Sequence, residues 1–479
     1  MAIVAKHRLW NPGCVTMDTK AALILAAGKG TRMKSDECKV LHLVAGRPML
    51  AYVLEAVQGA GIDQITLVVG HQSNRVKEYF ANSNIRYVEQ QQQLGTGHAV
   101  ICAKEAFDEF DGHIFILCGD TPLITESALS DFFTYHRDAG SQLTILTTIM
   151  DNPETYGRII RDDHGDVIKI VEQRDASDPE KTVNEINTGM YLVQSKLLYK
   201  LLDRIGTDND QGEYYLTDIV SEAVKNNINV HGYRLDDAEQ MIGVNTRIEL
   251  ALVSEKVWDQ RRQDLMLAGV TLLDPKTVYI DHKVEIGADT IVHPNVTLAG
   301  ETRIGRNCVI EPGVLIKDCV IGNGVEIRLG SRLEQAAVRD YATVGPMAHL
   351  RPETEIGPKA RIGNFVEVKK STVGEGTKAS HLTYLGDSEI GSNVNIGAGT
   401  ITCNYDGKHK YRTIIRDKCF VGADVQLKAP IEIGEGSIIG AGSTITKDVP
   451  PRTLAVTRSK QRVYRLREDQ ILYKNDEDR

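Results

Sequence analysis

Residues 344–363 read VGPMAHLRPETEIGPKARIG, and an aliphatic residue followed by glycine occurs within them at Val344, Ile356 and Ile362. The same pair recurs through the second half of the chain, at many intervals that are multiples of six. It stands at Ile286, Ile304, Ile321, Val344, Ile356, Ile362, Val373, Leu385, Ile390, Ile396, Val421, Ile433 and Ile439. One aliphatic and one glycine every six residues are typical of a hexapeptide-repeat parallel β-helix. A sandwich of amphipathic strands would instead give a period of two, without the six-residue return.

The repeat is interrupted twice, at the intervals 321–344 and 396–421. We expect loops that leave the β-helix at both places. The second interval contains TITCNYDG at 400–407.

The first half of the chain alternates apolar runs with amphipathic stretches, an α/β pattern. Short apolar runs suited to buried parallel strands occur at Ala22–Ala26, Gln64–Gly70 and His113–Cys118. The stretch Met49–Gly59 is predicted to be helical, and 248–269 is predicted to be a connecting helix with one packed stripe. Ligands of such sheets bind beyond the carboxyl ends of the strands, so we expect a site at the loops that begin at Ala26, Gly70 and Gly119.

Composition excludes several classes of protein. The 479 residues carry 56 Lys+Arg against 65 Asp+Glu, which argues against a basic nucleic-acid-binding protein. No apolar run is long enough to cross a membrane, and the N-terminus lacks the apolar centre of a signal peptide. The 8 cysteines form no CxxC pair, so we expect them to be reduced and the protein to be cytoplasmic.

The segment LAAGKGTRM at 25–33 predicts a phosphate-binding loop. Its glycines leave backbone amides open to an anion, and Arg32 adds positive charge. Met33 stands where a dinucleotide fingerprint needs its third glycine, and the Gly-Lys-Ser/Thr ending of a P-loop is missing. The alternative is a strand-to-helix turn without a ligand.

With SDECKVL at 35–41 and GRPM at 46–49, this loop resembles that of the sugar-phosphate nucleotidylyltransferases. The resemblance implies that the loop wraps a triphosphate and that Lys39 contacts phosphate. It places the nucleotide next to Leu25, Ala26, Ala27, Gly28, Arg32 and Lys39. The segment QQQQLGTGHA at 90–99 resembles the base-recognition element, with Gln90, Gly95 and Thr96 on the uracil of UTP. Glutamine offers both a donor and an acceptor to the imide edge.

Further motifs match the same family in order. GDTPL at 119–123 and GVNTR at 243–247 imply that Asp120 and Asn245 hold Mg²⁺, although an Asp at a strand end is often only a helix cap. Four segments resemble sugar-binding elements, at 156–159, 171–176, 185–189 and 211–215. They imply that Gly157, Glu172 and Asn187 contact N-acetylglucosamine 1-phosphate. Cys118 departs from the family, which often has Tyr there.

In the second half, GNFVEVKK at 363–370 and HLTYLGD at 381–387 extend the resemblance. From about residue 17 to 458 the chain resembles the bacterial family that joins an N-acetylglucosamine-1-phosphate uridylyltransferase to a glucosamine-1-phosphate N-acetyltransferase. The resemblance implies His381 as general base, since an imidazole titrates in the range needed to deprotonate an amine. Arg351 and Lys369 would bind the phosphate of glucosamine 1-phosphate, and Tyr384 and Asn395 its sugar.

The same resemblance implies a site for acetyl-CoA along the β-helix. Its expected contacts are Ala398, Asn404, Tyr405, Ala423, Ala441 and Arg458. Relatives often have serine at Ala423, so a hydrogen bond from that hydroxyl is missing in this chain. The resemblance also implies a homotrimer.

The expected organisation is an α/β Rossmann-like domain joined by a helix to a left-handed parallel β-helix. Its parts are an N-terminal extension (1–17), the uridylyltransferase domain (18–247), the linker helix (248–269), the acetyltransferase domain (270–458) and a charged tail (459–479). The expected function is two-step synthesis of UDP-N-acetylglucosamine with small-molecule substrates and without nucleic-acid or membrane partners. One alternative keeps the nucleotidylyltransferase and makes the β-helix a non-catalytic module for oligomerisation or regulation. Another makes the chain a non-catalytic subunit that binds a nucleotide sugar.

Overall fold

The computed structural model describes residues 19–70, 72–153, 155–209, 211–457, 460–467 and 470. The described chain forms two compact units, with the boundary between Val257 and Trp258. The predicted extension 1–17, Arg458 and most of the predicted tail after 467 lie outside the described residues.

The first unit is built on a mixed β-sheet. Its strands are β1 Lys20–Ala26, β2 Leu43–Val44, β3 Arg47–Pro48, β4 Gln64–Val69, β5 Ile85–Glu89, β6 His113–Cys118, β7 Leu143–Ile149, β8 Arg158–Arg161, β9 Val167–Val171, β10 Glu185–Gln194 and β11 Val230–Arg234. Its helices are α1 Met49–Gly59, α2 Ser73–Tyr79, α3 Thr96–Cys102, α4 Glu126–Asp138, α5 Asp178–Lys181, α6 Ser195–Leu202 and α7 Asp218–Lys225, followed by α8 Arg247–Leu267. The main sheet has the order β11-β7-β10-β6-β1-β4-β5, and the hairpin β8-β9 pairs with β10 through β8.

Strand β1 shows why the sheet is covered on both faces. Ala22 and Ile24 belong to one apolar core with α1, whereas Ala21 and Leu23 belong to a second core on the other face. β1 pairs in parallel with both β4 and β6, so the carboxyl ends of three strands lie side by side. The α/β prediction for this half is confirmed.

The segment after β1 does not lead directly into an α-helix, as the alternative of a simple strand-to-helix turn would require. Two short 3₁₀ turns, Thr31–Met33 and Lys39–Leu41, follow the glycine loop, and the first α-helix begins only at Met49. Gly30 and Lys34, on either side of the first turn, have positive φ angles of 62° and 47°, which end helical geometry.

The second unit consists of three parallel sheets, called here faces A, B and C. Face A contains Thr271–Leu272, Ile291–Val292, Val309–Ile310, Glu326–Ile327, Thr343–Val344, Arg361–Asn364, Lys378–His381, Asn395–Ile396, Phe420–Val421, Ile438–Ile439 and Leu454–Ala455. Face B contains Tyr279–Ile280, Thr297–Ala299, Leu315–Lys317, Arg332–Glu334, His349–Leu350, Glu367–Lys369, Tyr384–Gly386, Ile401–Cys403, Gln426–Lys428 and Thr444–Ile445. Face C contains Glu285–Ile286, Arg303–Ile304, Val320–Ile321, Ala336–Val338, Thr354–Ile356, Thr372–Val373, Ser388–Ile390, Thr413–Ile415 and Ile431–Ile433.

Each coil visits face A, then B, then C, and the aliphatic residues stack inside. Val344 and Ile362 are paired in register on face A, and both are fully buried. Burial of one such side chain contributes about 2 kcal/mol to the stability of the β-helix. The contribution recurs once per face in each coil. The predicted left-handed parallel β-helix is confirmed.

Only one of the two predicted loops is present. Between Ile321 and Val344 the chain stays in the β-helix, and the prediction of a loop there is wrong. The coils in this region are 17 residues long, as the pairing of Ile310 with Ile327 shows, so the six-residue period slips without an insertion. The second loop is confirmed, because residues 404–412 leave the β-helix between Cys403 of face B and Thr413 of face C.

Helix α8 carries the predicted apolar stripe in its first part. Val253 is buried in the first unit's core, and Leu250 and Val257 pack against that core. In the second unit, the Trp258 ring contacts the Tyr279 ring edge-on at 5.0 Å. Within the described residues, no helix combines the length and apolar content that a membrane crossing requires.

Two candidate active sites

In the first unit, the loops after β1, β4 and β6 converge. A Cβ at Gly70 would lie 2.6 Å from the Ala27 carbonyl and 2.9 Å from the Gln93 side chain, so only glycine fits there. The Gly119 amide donates to the Leu25 carbonyl at 2.9 Å. The three loops predicted to line a site are therefore neighbours, and Gly28 remains exposed with open space where a Cβ would be.

Lys39 lies at the centre of this site. Its Nζ pairs with the Asp120 carboxylate and donates to Asn245 Oδ1 at 2.7 Å. Arg32 donates to the same Asn245 oxygen at 2.8 Å. Residues from positions 32, 39, 120 and 245 thus form one cluster, with Lys39 only 11% exposed and Arg32 open to solvent.

The loop that carries Asn245 is held by residues that the sequence analysis did not single out. Val244 donates its amide to the Asp120 carbonyl at 2.9 Å. Glu249 accepts hydrogen bonds from the amides of both Asn245 and Thr246 at 2.6 Å. Thr246 accepts in return from the Glu249 amide at 3.3 Å, a capping box at the start of α8. The TRIE spacing at 246–249 was the signal for it.

The predicted base-recognition segment begins where β5 ends. Gln90 is buried, and its amide nitrogen Nε2 lies 3.1 Å from both the Gly95 carbonyl and His98 Nδ1. Gly95 has a φ of 106°, and a Cβ there would lie 2.5 Å from the Tyr214 carbonyl. Thr96, the first residue of α3, accepts from the Leu216 amide at 3.1 Å. The three predicted uracil residues are together, and His98 joins them.

The predicted sugar residues come from adjoining strands. The Asn187 amide donates to the Gly157 carbonyl at 2.9 Å, and its side chain accepts from the Gly189 amide at 3.0 Å. Glu172 is half-buried, and burial raises the pKa of its carboxyl group, while a Thr217 hydroxyl donates to it at 3.4 Å.

Cys118 contacts Gly189 from the end of β6. A Cβ at Gly189 would lie 3.2 Å from the Cys118 sulfur, and the thiol donates to the Gly189 carbonyl at 3.6 Å. Burial raises the pKa of this thiol to about 12, so it stays protonated at neutral pH.

In the second unit, polar side chains cluster on face B. Arg351 donates to Glu367 at 2.8 Å, and Glu367 is paired in register with Tyr384. Lys369 lies 3.7 Å from Asp387, which also accepts from the Asn404 side chain at 2.5 Å. The Lys369 ammonium group also lies beside Lys410 of the inserted loop and lowers the pKa of that side chain. The cluster brings together the predicted residues Arg351, Lys369, Tyr384 and Asn404, with Glu367 and Asp387 as carboxylate partners that the sequence analysis missed.

His381 lies at the corner between faces A and B, one turn before Tyr384. It is exposed, and its Nδ1 lies 2.6 Å from Asn364 Oδ1, the residue paired with it one coil earlier. The amide oxygen only accepts, so Nδ1 carries the hydrogen and Nε2 keeps a free electron pair. Asn395 lies elsewhere, on face A, paired with Lys378 rather than with the face B cluster.

The predicted acetyl-CoA residues Ala398, Ala423 and Ala441 form a column along the β-helix. The Asp424 amide donates to the Ala398 carbonyl at 2.7 Å, and the Gly442 amide donates to the Ala423 carbonyl at 2.8 Å. Ala423 and Ala441 are exposed, and so is Tyr405 on the inserted loop. The predicted contact Arg458 lies outside the described residues.

Known protein families match both halves of the chain. The nucleotidyl transferase family model matches residues 21–258, the bacterial transferase hexapeptide model matches 283–318, and a GMPPB C-terminal domain model matches 333–453. The chain is 51% identical to the bifunctional protein GlmU of Pelobacter propionicus, over 93% of this chain and 97% of that protein. It is 50% identical to that of Geotalea uraniireducens, over 93% of this chain and 98% of that protein. The chain therefore belongs to the bifunctional GlmU family.

Proposed function

We propose how the two sites of this enzyme divide its two reactions. The chain is both an acetyltransferase and a nucleotidyltransferase, and it makes UDP-N-acetylglucosamine. Acetyl-CoA first acetylates glucosamine 1-phosphate, and the product then attacks the α-phosphorus of UTP and releases pyrophosphate. Residues 18–247 carry the uridylyl transfer, and residues 270–458 carry the acetyl transfer.

In uridylyl transfer, the main task of the protein is to bring two anions together. The loop 25–28 and Arg32 bind the triphosphate, and Lys39 neutralises charge that develops between the attacking and leaving oxygens. Gln90, Gly95 and Thr96 hold the uracil, while Gly157, Glu172 and Asn187 hold the sugar. The support is the single cluster in which Arg32 and Lys39 share Asn245 Oδ1.

Asp120 and Asn245 would hold Mg²⁺. Their carboxylate and amide oxygens both converge on the Lys39 ammonium group, so the pair already accommodates a cation, and hard oxygen donors suit Mg²⁺. When bound, the ion would supply further positive charge to the phosphates.

In acetyl transfer, His381 removes a proton from the amine of glucosamine 1-phosphate. The amine nitrogen attacks the thioester carbonyl, the C–S bond breaks, and the proton that His381 took from the nitrogen passes to the leaving CoA thiolate. Asn364 fixes the ring tautomer so that Nε2 is the base. Arg351 and Lys369 bind the phosphate, Tyr384 and Asn395 bind the sugar, and the column Ala398, Ala423, Ala441 with Asn404, Tyr405 and Arg458 binds acetyl-CoA. The observation that carries this assignment is the 2.6 Å pair of His381 and Asn364.

The enzyme acts as a homotrimer. The hexapeptide repeats are consistent with oligomerisation, and large apolar side chains are exposed on successive coils at the A–B corner. They are Leu329, Met347, Phe365 and Leu382, between 44% and 60% exposed. Contact between β-helices would cover these side chains and offer Asn395 of one copy to the face B cluster of another. Light scattering on the purified protein tests this, and a monomer at micromolar concentration would contradict it.

A coupled assay tests the function as a whole. Purified protein is given glucosamine 1-phosphate, UTP and Mg²⁺, with or without acetyl-CoA, and products are identified by mass spectrometry. UDP-N-acetylglucosamine is expected only with acetyl-CoA. If the enzyme converts added N-acetylglucosamine 1-phosphate to UDP-N-acetylglucosamine but never acetylates glucosamine 1-phosphate, the β-helix is the non-catalytic module of the alternative hypothesis.

A further inference from the structure

The buried Gln90 amide can face a base in one orientation only. Its Nε2 lies 3.1 Å from the Gly95 carbonyl, which can only accept, and 3.1 Å from His98 Nδ1. Both hydrogens of the amide nitrogen are then used inside the protein. The expectation that this glutamine offers a donor as well as an acceptor to the base therefore needs revision, because Oε1 is the atom left for the ligand.

His98 completes this arrangement by accepting a hydrogen bond. Because Nε2 of Gln90 is a donor, Nδ1 of His98 must be unprotonated, and the neutral ring carries its hydrogen on its own Nε2. The ring is held in place by α3. Tyr214 lies on one side with ring centroids 6.3 Å apart, and the Cys102 sulfur lies 3.8 Å from both ring nitrogens.

We propose that His98 is a positioning residue that sets the choice of pyrimidine by locking the Gln90 amide with its oxygen towards the base. This rests on the proposed role of Gln90 in holding the base. Uracil has an N3–H donor, which Oε1 accepts. Cytosine has an unprotonated N3, which would face the same oxygen with two acceptors in contact. A buried polar group left unpaired in this way is the strongest means by which a site rejects an analogue.

The test measures kcat/KM for pyrophosphate release with UTP and with CTP. In His98→Leu the amide loses one of its two internal acceptors and is free to turn its nitrogen to the base. The UTP/CTP ratio is expected to fall at least tenfold, mainly through a gain with CTP. His98→Asn places an amide oxygen where Nδ1 stood and is expected to keep the ratio within about threefold of wild type. Acetyl transfer by the same preparations reports that the chain is folded.

A second variant, Gln90→Leu, distinguishes the proposed role of Gln90 in base recognition from the proposed role of His98 in positioning Gln90. Suppose that Gln90→Leu lowers the UTP/CTP ratio, whereas His98→Leu leaves the ratio unchanged or lowers kcat/KM for both nucleotides by the same factor. The role of His98 is then overturned and that of Gln90 stands. If neither substitution alters the ratio, Gln90 does not read the base, and both assignments fall.

Discussion

Removing the hydrogen-bond partner of His381, the proposed catalytic base, tests the proposed acetyl-transfer site. Asn364→Ala deletes the 2.6 Å hydrogen bond to His381 Nδ1 and leaves the base itself in place. A neutral hydrogen bond of this kind contributes about 0.5–1.5 kcal/mol, and the exposed position of the pair favours the lower half of that range. At about 1.4 kcal/mol per factor of ten, kcat for CoA release should fall about two- to fivefold. Loss of the base in His381→Ala should lower kcat for CoA release by a factor on the order of 10²–10⁴.

The assay follows CoA release with a thiol reagent at saturating glucosamine 1-phosphate, across a range of pH. Asn364→Asp places a carboxylate beside the imidazole and favours its protonated form, so the acid limb of the rate profile should move to higher pH. Lys283→Ala removes an exposed ion pair with Glu301 in the same unit and is the matched control, with no expected effect. If Asn364→Ala costs as much as His381→Ala, or if Asn364→Asp leaves the acid limb in place, Asn364 does not orient the base.

Two further predictions concern the first unit. Glu249→Ala should raise the Mg²⁺ concentration needed for half-maximal pyrophosphate release several-fold, because the amides of Asn245 and Thr246 lose their common acceptor. Glu249→Gln keeps an acceptor oxygen and should raise this concentration less. An unchanged Mg²⁺ requirement in Glu249→Ala would contradict the positioning role of Glu249. Burial lowers the pKa of His136 from 6.5 to about 3, so the unfolded chain binds a proton that the folded chain excludes between those values. Stability should therefore decrease as pH falls below about 6.5, by about 2 kcal/mol at pH 5 from this group, and urea unfolding of His136→Gln should show a correspondingly smaller loss between pH 8 and pH 5. An equal loss in wild type and variant would refute this.

The β-helix could be predicted because every coil repeats the same requirement, an inward aliphatic and a tight corner. The position of the coil slip could not, because a 17-residue coil keeps the stacking of Ile310 on Ile327 while breaking the count of six. The predicted loop at 321–344 was wrong for this reason.

The proposed site residues were identified through motifs, whereas the residues that hold their side chains in place were missed. Asn364 precedes His381 by 17 residues, one coil length, so knowledge of the coil length would have paired them. Asp387 is the residue after Gly386, the register partner of Lys369, so the same count would have placed it next to Lys369. The contact between Gln90 and His98 depends on how the loop after β5 folds back onto α3, and no spacing rule predicts it.

We propose that one chain carries two separate active sites. The most direct test measures both half-reactions, CoA release and Mg²⁺-dependent pyrophosphate release, on the same preparations of Asp120→Ala and His381→Ala. We predict that Asp120→Ala abolishes pyrophosphate release and keeps CoA release within a few-fold of wild type, and that His381→Ala does the reverse. A substitution that abolishes both reactions in a folded chain, or an Asp120→Ala enzyme that still releases pyrophosphate at the wild-type rate, would contradict the claim.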